Sequence, residues 1–413
     1  MKKKDVILAR QKISTRFKNA DMDFMFNWAI GVSQIVGMSA SQLFYALHDV
    51  KDGDPKGWRD GLTRQASALI EQAKALLNAE QPIAAGQAYL GAAYAYRSAL
   101  QYTSPKAAEF LDWARAMEAC FQEGSRLLGV PLRAIEVPFG DKTLAGYYLE
   151  HDDQPRPVVI MVGGGDTYRE DLFYFAGYPG WKRGYNVLMV DLPGQGLMPE
   201  RGMTFQPDMA AAVQAEIAWL ESNAAAKPEQ IAIYGVSGGG YITAQAVAVM
   251  PRVKAWIAAT PIYDLGAVIT REMGAAAAAP AWALKTFMKI VGSFNESAAI
   301  NVEKYAWQFG TADFKTVIEG VQQQAPVVDY TRISIPSLFL VSEGEGPELQ
   351  RQTEDIAADF KKRGVPVTVR YFTASEGADG HCQLNNLRLA HMVIFDWLDS
   401  IFAHDSGDVR LRV

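Results

Sequence analysis

The chain has 413 residues, of which 49% are hydrophobic and 21% are charged, and its formal net charge is −6. This length allows two sizeable cores, and the weakly acidic balance gives no reason to expect nucleic acid or a membrane surface as a partner. No apolar run is long enough to predict a membrane span or a secretory signal. Two cysteines favour a reducing cytoplasm, and five histidines without metal-ligand spacing predict neither a metal nor a cofactor.

Residues 1 to about 130 show helical periodicity and almost no strand pattern. The stretch 83–100 resembles one helix of a tetratricopeptide repeat, but no second copy follows at a fixed period, so a solenoid is rejected. Two interpretations remain for this region. It is either a helical packing domain, or a lid that lines a substrate cavity with the tyrosines Tyr89, Tyr94 and Tyr96.

From residue 131 onwards, strands alternate with helices. The stretches 133–139 and 143–150 alternate in polarity and predict a β-hairpin around Gly140-Asp141. Continuous apolar runs predict strands with both faces covered at 157–162 and 186–191, and further strands are predicted at 231–234, 254–259, 337–341 and 366–371. This alternation predicts an α/β fold with a mostly parallel sheet between helices, whose ligands bind at the carboxyl ends of the strands. The helical, alanine-rich segment 262–330 predicts a cap inserted over that edge.

The motif Gly235-Val-Ser-Gly-Gly239 lies between the strand 231–234 and a predicted helix that Pro251 ends. It matches the G-x-S-x-G pattern of a nucleophile elbow, in which a tight turn holds the serine hydroxyl in the open. The pentapeptide alone is a weak signal, and a glycine-rich turn without chemistry is the alternative. The strand before it, the helix after it and suitable partners downstream favour Ser237 as a nucleophile.

A serine nucleophile needs a base, and the base needs an orienting acid. Among the histidines after Ser237, His404 lies in the polar tail and His391 lies within the last predicted helix, 384–402. His381 lies in the glycine-rich loop between the last strand and that helix, from which an imidazole can reach over the sheet. The sequence therefore predicts His381 as the base.

The acid should follow the strand 337–341, where the candidates are Glu343, Glu345 and Glu348. Counting from Pro336, which opens this strand, favours Glu345. Asp264 is a rival, because it follows the preceding strand and a carboxylate there can also reach the histidine or assist the substrate. A solvated surface glutamate is the alternative interpretation for each candidate in the loop.

An oxyanion intermediate needs two N–H donors, and Gly238, directly after the serine, supplies one. The second is expected from the loop Gly163-Gly-Gly-Asp166, through Gly164 or Gly165, since glycine lets the backbone approach a ligand closely. A phosphate-binding loop is a poor alternative, because no Gly-Lys-Ser/Thr follows. The candidate substrate contacts are Tyr89, Tyr96, Asp166 and Trp307.

These residues, in this order, resemble the α/β-hydrolase superfamily over about 135–405. More narrowly, the glycine loop, the motif ending at Gly240, the motif Gly377-Ala-Asp-Gly-His-Cys-Gln383 and the helical N-terminal region resemble one subgroup. It includes fermentation–respiration switch protein-like hydrolases, 2,6-dihydroxypseudooxynicotine hydrolase and polyketide-shortening hydrolases, several of which cleave carbon–carbon bonds beside a ketone. The resemblance implies Ser237 as nucleophile, His381 as base, a site enclosed between core and helical domain, and often a homodimer. The subgroup usually has Asp where this sequence has Glu345.

The sequence therefore predicts a serine-dependent hydrolase that cleaves an acyl bond through an acyl-enzyme. The bond is either a carbon–carbon bond beside a ketone, in a polyketide-like or aryl ketone substrate, or an ester or thioester. An acyltransferase, an aminopeptidase-like hydrolase and a non-catalytic regulatory or binding protein on the same scaffold are the alternatives. The predicted domains are a helical lid domain, 1–130, and a hydrolase domain, 131–413, with the cap at 262–330. Cys382, beside His381, is either a reactive thiol or a small packed residue.

Overall fold

The computed structural model describes residues 10–151, 155–223, 226–274, 278–284, 286 and 295–406. Parts of the predicted cap, 275–277, 285 and 287–294, lie outside the described residues, and so does the side chain of His404. The chain begins with helices, which are α1 (Ala20–Ser33), α2 (Ala40–Leu47), α3 (Pro55–Asn78), α4 (Pro82–Leu100) and α5 (Phe110–Leu127).

Local sequence signals account for the starts of these helices. The side chains of Asn19, Ser39 and Asp54 accept hydrogen bonds from the first turns of α1, α2 and α3, which satisfies N–H groups that lack an intrahelical acceptor. Small residues then allow close helix packing. A Cβ added at Gly86 of α4 would lie 3.0 Å from the carbonyl oxygen of Gly124 in α5, so glycine at this position lets the two backbones approach.

The strands form one eight-stranded sheet in the order β1-β2-β4-β3-β5-β6-β7-β8. They are β1 (Leu132–Phe139), β2 (Lys142–Leu149), β3 (Arg156–Val162), β4 (Asn186–Val190), β5 (Ala226–Val236), β6 (Ala255–Ala259), β7 (Ser337–Ser342) and β8 (Val367–Phe372). β1 and β2 form an antiparallel hairpin and β2 pairs antiparallel with β4, whereas all pairs from β4 to β8 are parallel. The predicted hairpin and mostly parallel sheet are confirmed.

Further helices cover both faces of the sheet. After β3, α6 (Arg169–Leu172) continues through a π-helical turn, Phe173–Gly177, into α7 (Tyr178–Lys182). Further ones with described bounds include α8 (Ala210–Asn223), α9 (Gly238–Val247), α10 (Leu265–Met273), α11 (Glu296–Gln308), α12 (Phe314–Gln324), α13 (Pro347–Arg363) and α14 (Leu387–Ser406). The predicted helix opened by Pro207 begins three residues later, at Ala210.

Two hydrophobic cores lie on opposite faces of the sheet, because successive strand residues point to opposite sides. Tyr147 and Met161 face a core that includes the N-terminal helices and α14. Their neighbours Tyr148 and Ile160 face a core that includes α8, α9 and α13. The helical region therefore packs directly on the sheet, and the change from helices to strands falls between 127 and 132.

One buried ion pair joins the helical region to the sheet domain. Arg97 of α4 donates from Nε to Asp171 of α6 at 2.6 Å, and from Nη2 to the backbone carbonyl of Asp166 at 2.6 Å. Both side chains of the pair are almost fully buried. Among the described residues, none of the helices combines the length and the apolar character needed to cross a bilayer.

Candidate active site

Ser237 lies in the turn between β5 and α9, with φ 58° and ψ −124°. A non-glycine residue in such a region costs about 1–3 kcal/mol of strain and is common at functional sites. At Gly235, Gly239 and Gly240, an added Cβ would lie between 1.9 and 2.3 Å from a neighbouring backbone oxygen. The glycines of the motif therefore permit the close approach of strand and helix that holds the Ser237 hydroxyl at the carboxyl end of the sheet.

His381 joins the Ser237 hydroxyl to the Glu345 carboxylate through its two ring nitrogens. Its Nε2 lies 2.9 Å from Ser237 Oγ, and its Nδ1 lies 3.4 Å from Glu345 Oε1. The carboxylate is buried and also accepts hydrogen bonds from the Thr260 hydroxyl and, at 3.2 Å, from the Cys382 N–H. This arrangement has the order of contacts of a serine–histidine–acid triad.

Contacts between loops position the histidine. The Gly344 N–H donates to the Asp379 carbonyl at 3.0 Å, and a Cβ added at Gly344 would lie 2.4 Å from that oxygen. The loops that carry Glu345 and His381 therefore touch through their backbones. The next two residues, Cys382 and Gln383, have φ 56° and 55°, so the chain turns sharply after the imidazole.

The other candidate acids lie elsewhere. Asp264 caps α10, where it accepts a hydrogen bond from the Ala267 N–H at 2.8 Å. Glu343 lies near the surface and pairs with Lys12, and Glu348 pairs with Arg351 within α13. Of these four carboxylates, all in the described part of the chain, Glu345 is the one that contacts His381.

The glycine loop after β3 lies against Ser237. A Cβ added at Gly164 would lie 2.7 Å from Ser237 Cβ and 2.9 Å from the Gly238 nitrogen. On the other side of the loop, the side-chain amide of Gln195 donates to the carbonyls of Gly163 at 2.6 Å and Gly164 at 3.3 Å. Because the N–H of a trans peptide points away from its C=O, these bonds turn the N–H groups of the next residues away from Gln195.

The predicted oxyanion donors are therefore neighbours. The Gly238 N–H is at the first position of α9, where an amide has no intrahelical acceptor. A Cβ on Gly238 would lie 3.6 Å from the Gly165 nitrogen. The sequence interpretation missed Gln195, which lies in a Leu-Pro-Gly-Gln-Gly turn. Gln195 is buried, with 1% of its surface exposed, and no local sequence pattern indicates this burial.

A small cavity lies beside Ser237 and His381. Its other lining residues include the apolar side chains Phe24, Trp28, Phe175 and Leu384 and the polar residues Arg10, Asp166 and Thr167. The predicted contact Asp166 is thus at the site. Phe24 and Trp28 are one helical turn apart on α1, so α1 supplies the aromatic side of the wall.

The three aromatic residues predicted to contact substrate do not line this described cavity. Tyr89 and Tyr96 are half-buried against the core around α4, and Trp307 packs edge-on against Phe110 with its Nε1 donating to Glu200. Tyr94 packs edge-on against Tyr174. The physical reason for the tyrosines is that α4 lies between α3 and α5 and uses its aromatic side chains for packing. Trp307, on α11, packs against α5 instead.

The family model described as esterase FrsA-like matches residues 46–314. The chain belongs to the FrsA-like esterase family. One relative is the 20-hydroxy-prefusarin hydrolase FUS2 of Gibberella moniliformis, which is 28% identical over 427 residues, with 94% of this chain and 98% of the relative covered. Another is the hydrolase LUC6 of Fusarium sp, which is 26% identical over 422 residues, with 94% and 97% covered.

Two solved structures share the fold of this FrsA-like chain. The 2,6-dihydroxy-pseudo-oxynicotine hydrolase has a TM-score of 0.67 at 19% identity, with 91% of this chain and 96% of that chain covered. Wild-type AbyA5 has a TM-score of 0.61 at 16% identity, with 92% and 95% covered. The predicted α/β-hydrolase fold with a helical N-terminal region is confirmed, and the family and its relatives identify the chain as a hydrolase.

Burial and charge act in opposite directions on the candidate base of this FrsA-like hydrolase. Burial lowers the pKa of His381, whereas its contacts with the Cys382 sulfur and the Glu345 carboxylate raise it. The second effect is larger, so the pKa of His381 lies above that of an ordinary histidine. Burial also raises the pKa of the Cys382 thiol. The Glu345 carboxylate, 3.4 Å from Nδ1, is placed to stabilise an imidazolium. In contrast, burial lowers the pKa of His391 to about 4, and its Nε2 lies 2.7 Å from the Phe175 carbonyl oxygen.

Glu345, His381 and Cys382 also carry possible metal-ligand atoms within 4.8 Å of one another. A zinc ion needs its ligand atoms around one point, at about 2.0–2.3 Å each. Here Glu345 contacts Nδ1 of the ring, whereas the Cys382 sulfur lies 3.4 Å from Nε2. The two side chains thus use different edges of the imidazole, an arrangement that fits an oriented base and not a shared ion.

Proposed function

We propose that this FrsA-like family member is a serine-dependent hydrolase that cleaves an acyl bond through an acyl-enzyme. In this proposal Ser237 is the nucleophile, His381 is the base and Glu345 is the acid. The observation that carries it is the chain of contacts from Ser237 Oγ to His381 Nε2 at 2.9 Å and from His381 Nδ1 to Glu345 at 3.4 Å. A regulatory or binding protein without catalytic activity would not require these contacts, nor a serine in a strained turn.

The chemistry follows from these positions. His381 takes the Ser237 proton as the oxygen attacks the substrate carbonyl, and the resulting oxyanion accepts hydrogen bonds from Gly238 and from Gly164 or Gly165. The imidazolium, stabilised by Glu345, then gives its proton to the leaving group. Water attacks the acyl-enzyme with His381 again as base, which releases the acid and regenerates the serine.

The cavity favours an organic substrate with an apolar part, because aromatic and aliphatic side chains make up half of the residues that line it. The relative FUS2 hydrolyses 20-hydroxy-prefusarin and the solved relative hydrolyses 2,6-dihydroxy-pseudo-oxynicotine, which supports a small organic molecule. We therefore propose a polyketide-like or aryl ketone, ester or thioester as the substrate class. The leaving group is an alkoxide, a thiolate or, in a β-dicarbonyl compound, an enolate.

Turnover by matched variants tests this proposal. Wild type should hydrolyse at least one compound in a panel of an aryl ester, a thioester and an aryl β-diketone, and Ser237→Ala should abolish that turnover at an unchanged melting temperature. Cys382→Ala removes the other potential nucleophile, 3.4 Å from His381 Nε2, and should remain active. Turnover retained by Ser237→Ala, or lost specifically in Cys382→Ala, would refute the assignment.

The same assay separates the alternative functions. An acyl product on an added amine or alcohol would indicate an acyltransferase, and release of amino acids from peptide amides would indicate an aminopeptidase-like enzyme. Failure to form any acyl intermediate would favour a regulatory or binding protein. The homodimer remains a prediction that light scattering can measure, and the cytoplasmic location remains a prediction as well.

A further inference from the structure

Residues 10–17, here called the N-terminal strap, cross the two loops that carry Glu345 and His381. The N–H groups of Lys12 and Ile13 donate to one oxygen of the Asp379 carboxylate at 2.6 and 2.9 Å. The backbone N–H of His381 donates to the backbone carbonyl of Arg10 at 2.6 Å. The strap is therefore hydrogen-bonded to the loop of the candidate base, including the base itself.

The other end of the strap is fixed to α1. The backbone N–H groups of Thr15, Arg16 and Phe17 all donate to the buried carboxylate of Asp23, at 2.9, 2.6 and 2.8 Å. Hydrogen bonds from the backbone at both ends therefore fix the path of the strap across the site. A side chain on it is thus held in place in the way that active-site groups require.

The strap brings Arg10 into the cavity wall beside Ser237 and His381. Its guanidinium carbon lies 5.2 Å from the centre of the Phe24 ring, and its Nη1 lies 3.3 Å from Asp166 Oδ2. Asp166 directly follows Gly165, so this ion pair holds the cation next to the loop of the candidate oxyanion donors. The Arg10 side chain keeps 19% of its surface exposed.

A cation beside the apolar side chains of Phe24, Trp28 and Leu384 is costly to bury unless it is paired. Asp166 offsets part of this cost through Nη1, and Tyr305 also interacts with the guanidinium, a group that has five N–H donors. The proposed mechanism already provides for the charge on the attacked carbonyl oxygen and for the proton of the leaving group. In that mechanism, no residue stabilises the negative charge that forms on the oxygen of a leaving enolate.

We propose that Arg10 binds the second carbonyl oxygen of a β-dicarbonyl substrate and stabilises the enolate that leaves when the carbon–carbon bond breaks. This inference rests on the proposed serine hydrolase function. It makes Arg10 a catalytic residue for carbon–carbon cleavage, and Asp166 the residue that positions it. It also selects the β-dicarbonyl compounds from the substrate classes proposed above.

The step balances without a further reactant. Ser237 Oγ bonds to the first carbonyl carbon, and the bond from this carbon to the central carbon then breaks. Its electron pair forms the enolate double bond, while the second carbonyl oxygen takes the negative charge beside Arg10. The proton on His381 Nε2 passes to the central carbon, and water hydrolyses the acyl-enzyme, so one β-diketone and one water give one carboxylic acid and one ketone.

Two substrates with the same acyl group test the proposal. An aryl β-diketone needs an enolate to leave, whereas the nitrophenyl ester of the same acid leaves as a stable phenolate and needs no such partner. Arg10→Gln should lower kcat/KM for the diketone by about 10²- to 10³-fold, as expected when one preorganised charge-stabilising group is lost, and should leave ester hydrolysis nearly unchanged. Arg10→Lys should recover part of the diketone rate.

Lys12→Gln is the matched control, because Lys12 lies on the same strap but its ammonium pairs with Glu343 near the surface, so both reactions should continue. An equal loss of both reactions in Arg10→Gln and Arg10→Lys would reduce Arg10 to a structural role and overturn the inference. So would an unchanged diketone rate, or a wild type that cleaves the ester but not the diketone. A wild type that forms no acyl-enzyme with either compound would instead overturn the underlying serine hydrolase function.

Discussion

Gly164→Ala should remove oxyanion stabilisation while leaving the three side chains of the candidate triad in place. The new Cβ would lie 2.7 Å from Ser237 Cβ, 2.9 Å from the Gly238 nitrogen and 3.0 Å from the Val236 carbonyl oxygen. All three distances are shorter than ordinary contacts, so the loop must move away from the turn. Loss of one oxyanion donor typically lowers kcat by about 10²- to 10³-fold, or about 2.7–4 kcal/mol, and we expect a loss of this size.

The neighbouring glycines supply the controls. A Cβ at Gly165 would first meet the ring of Tyr305 at 3.3 Å, and a Cβ at Gly238 would first meet the Gly164 Cα at 3.5 Å. Both contacts are accommodated by small shifts, and neither substitution removes a backbone N–H. Gly165→Ala and Gly238→Ala should therefore stay close to wild type.

Steady-state kinetics with an activated ester, together with the melting temperature, measure the effect. We expect kcat to fall in Gly164→Ala with little change in KM, because the oxyanion forms only during the reaction. Wild-type kcat in a folded Gly164→Ala enzyme would refute the oxyanion assignment. An equal loss in Gly165→Ala would show that disturbance of the loop, and not the clash with Ser237, is responsible.

Three further predictions concern the acid, the base and the domain contact. Glu345→Gln should lower kcat by up to about 10⁴-fold, measured with the same ester; full activity would exclude Glu345. The value of kcat/KM should rise with pH as His381 loses its proton, and the midpoint of this rise should lie above the pKa of an ordinary histidine because the pKa of His381 is raised. In Glu345→Gln the midpoint should move to lower pH, and an unmoved midpoint would contradict the contact. Arg97→Ala leaves Asp171 buried and unpaired and should cost about 3–5 kcal/mol in denaturant unfolding, whereas a change within error would contradict the buried pair.

The core of the site was predictable because sheet topology brings together loops that are distant in sequence. In a parallel sheet, the loops after β5, β7 and β8 all emerge at the carboxyl edge. A serine motif after β5, a glutamate after β7 and a histidine after β8 therefore come together at this edge. Counting along the strand that opens at Pro336 favoured Glu345, the carboxylate that contacts the histidine.

Arg10 and Gln195 were not predictable, because their roles depend on contacts without a local pattern. Arg10 reaches Asp166, 156 residues away, and Gln195 reaches Gly163, 32 residues away. The predicted lid tyrosines do not line the described cavity, for a related reason. Helical periodicity identifies the apolar face of α4 but does not say whether that face meets another helix or a cavity, and here α1 supplies Phe24 and Trp28 to the wall.

The most direct test of the account is the intact mass of the protein after exposure to a small fluorophosphonate, with the adduct mapped by peptide. We expect a single adduct on Ser237, formed quickly by wild type, slowly by Glu345→Gln and not at all by Ser237→Ala. An adduct on another residue, or an unmodified wild type that remains folded, would contradict an activated serine at the β5–α9 turn.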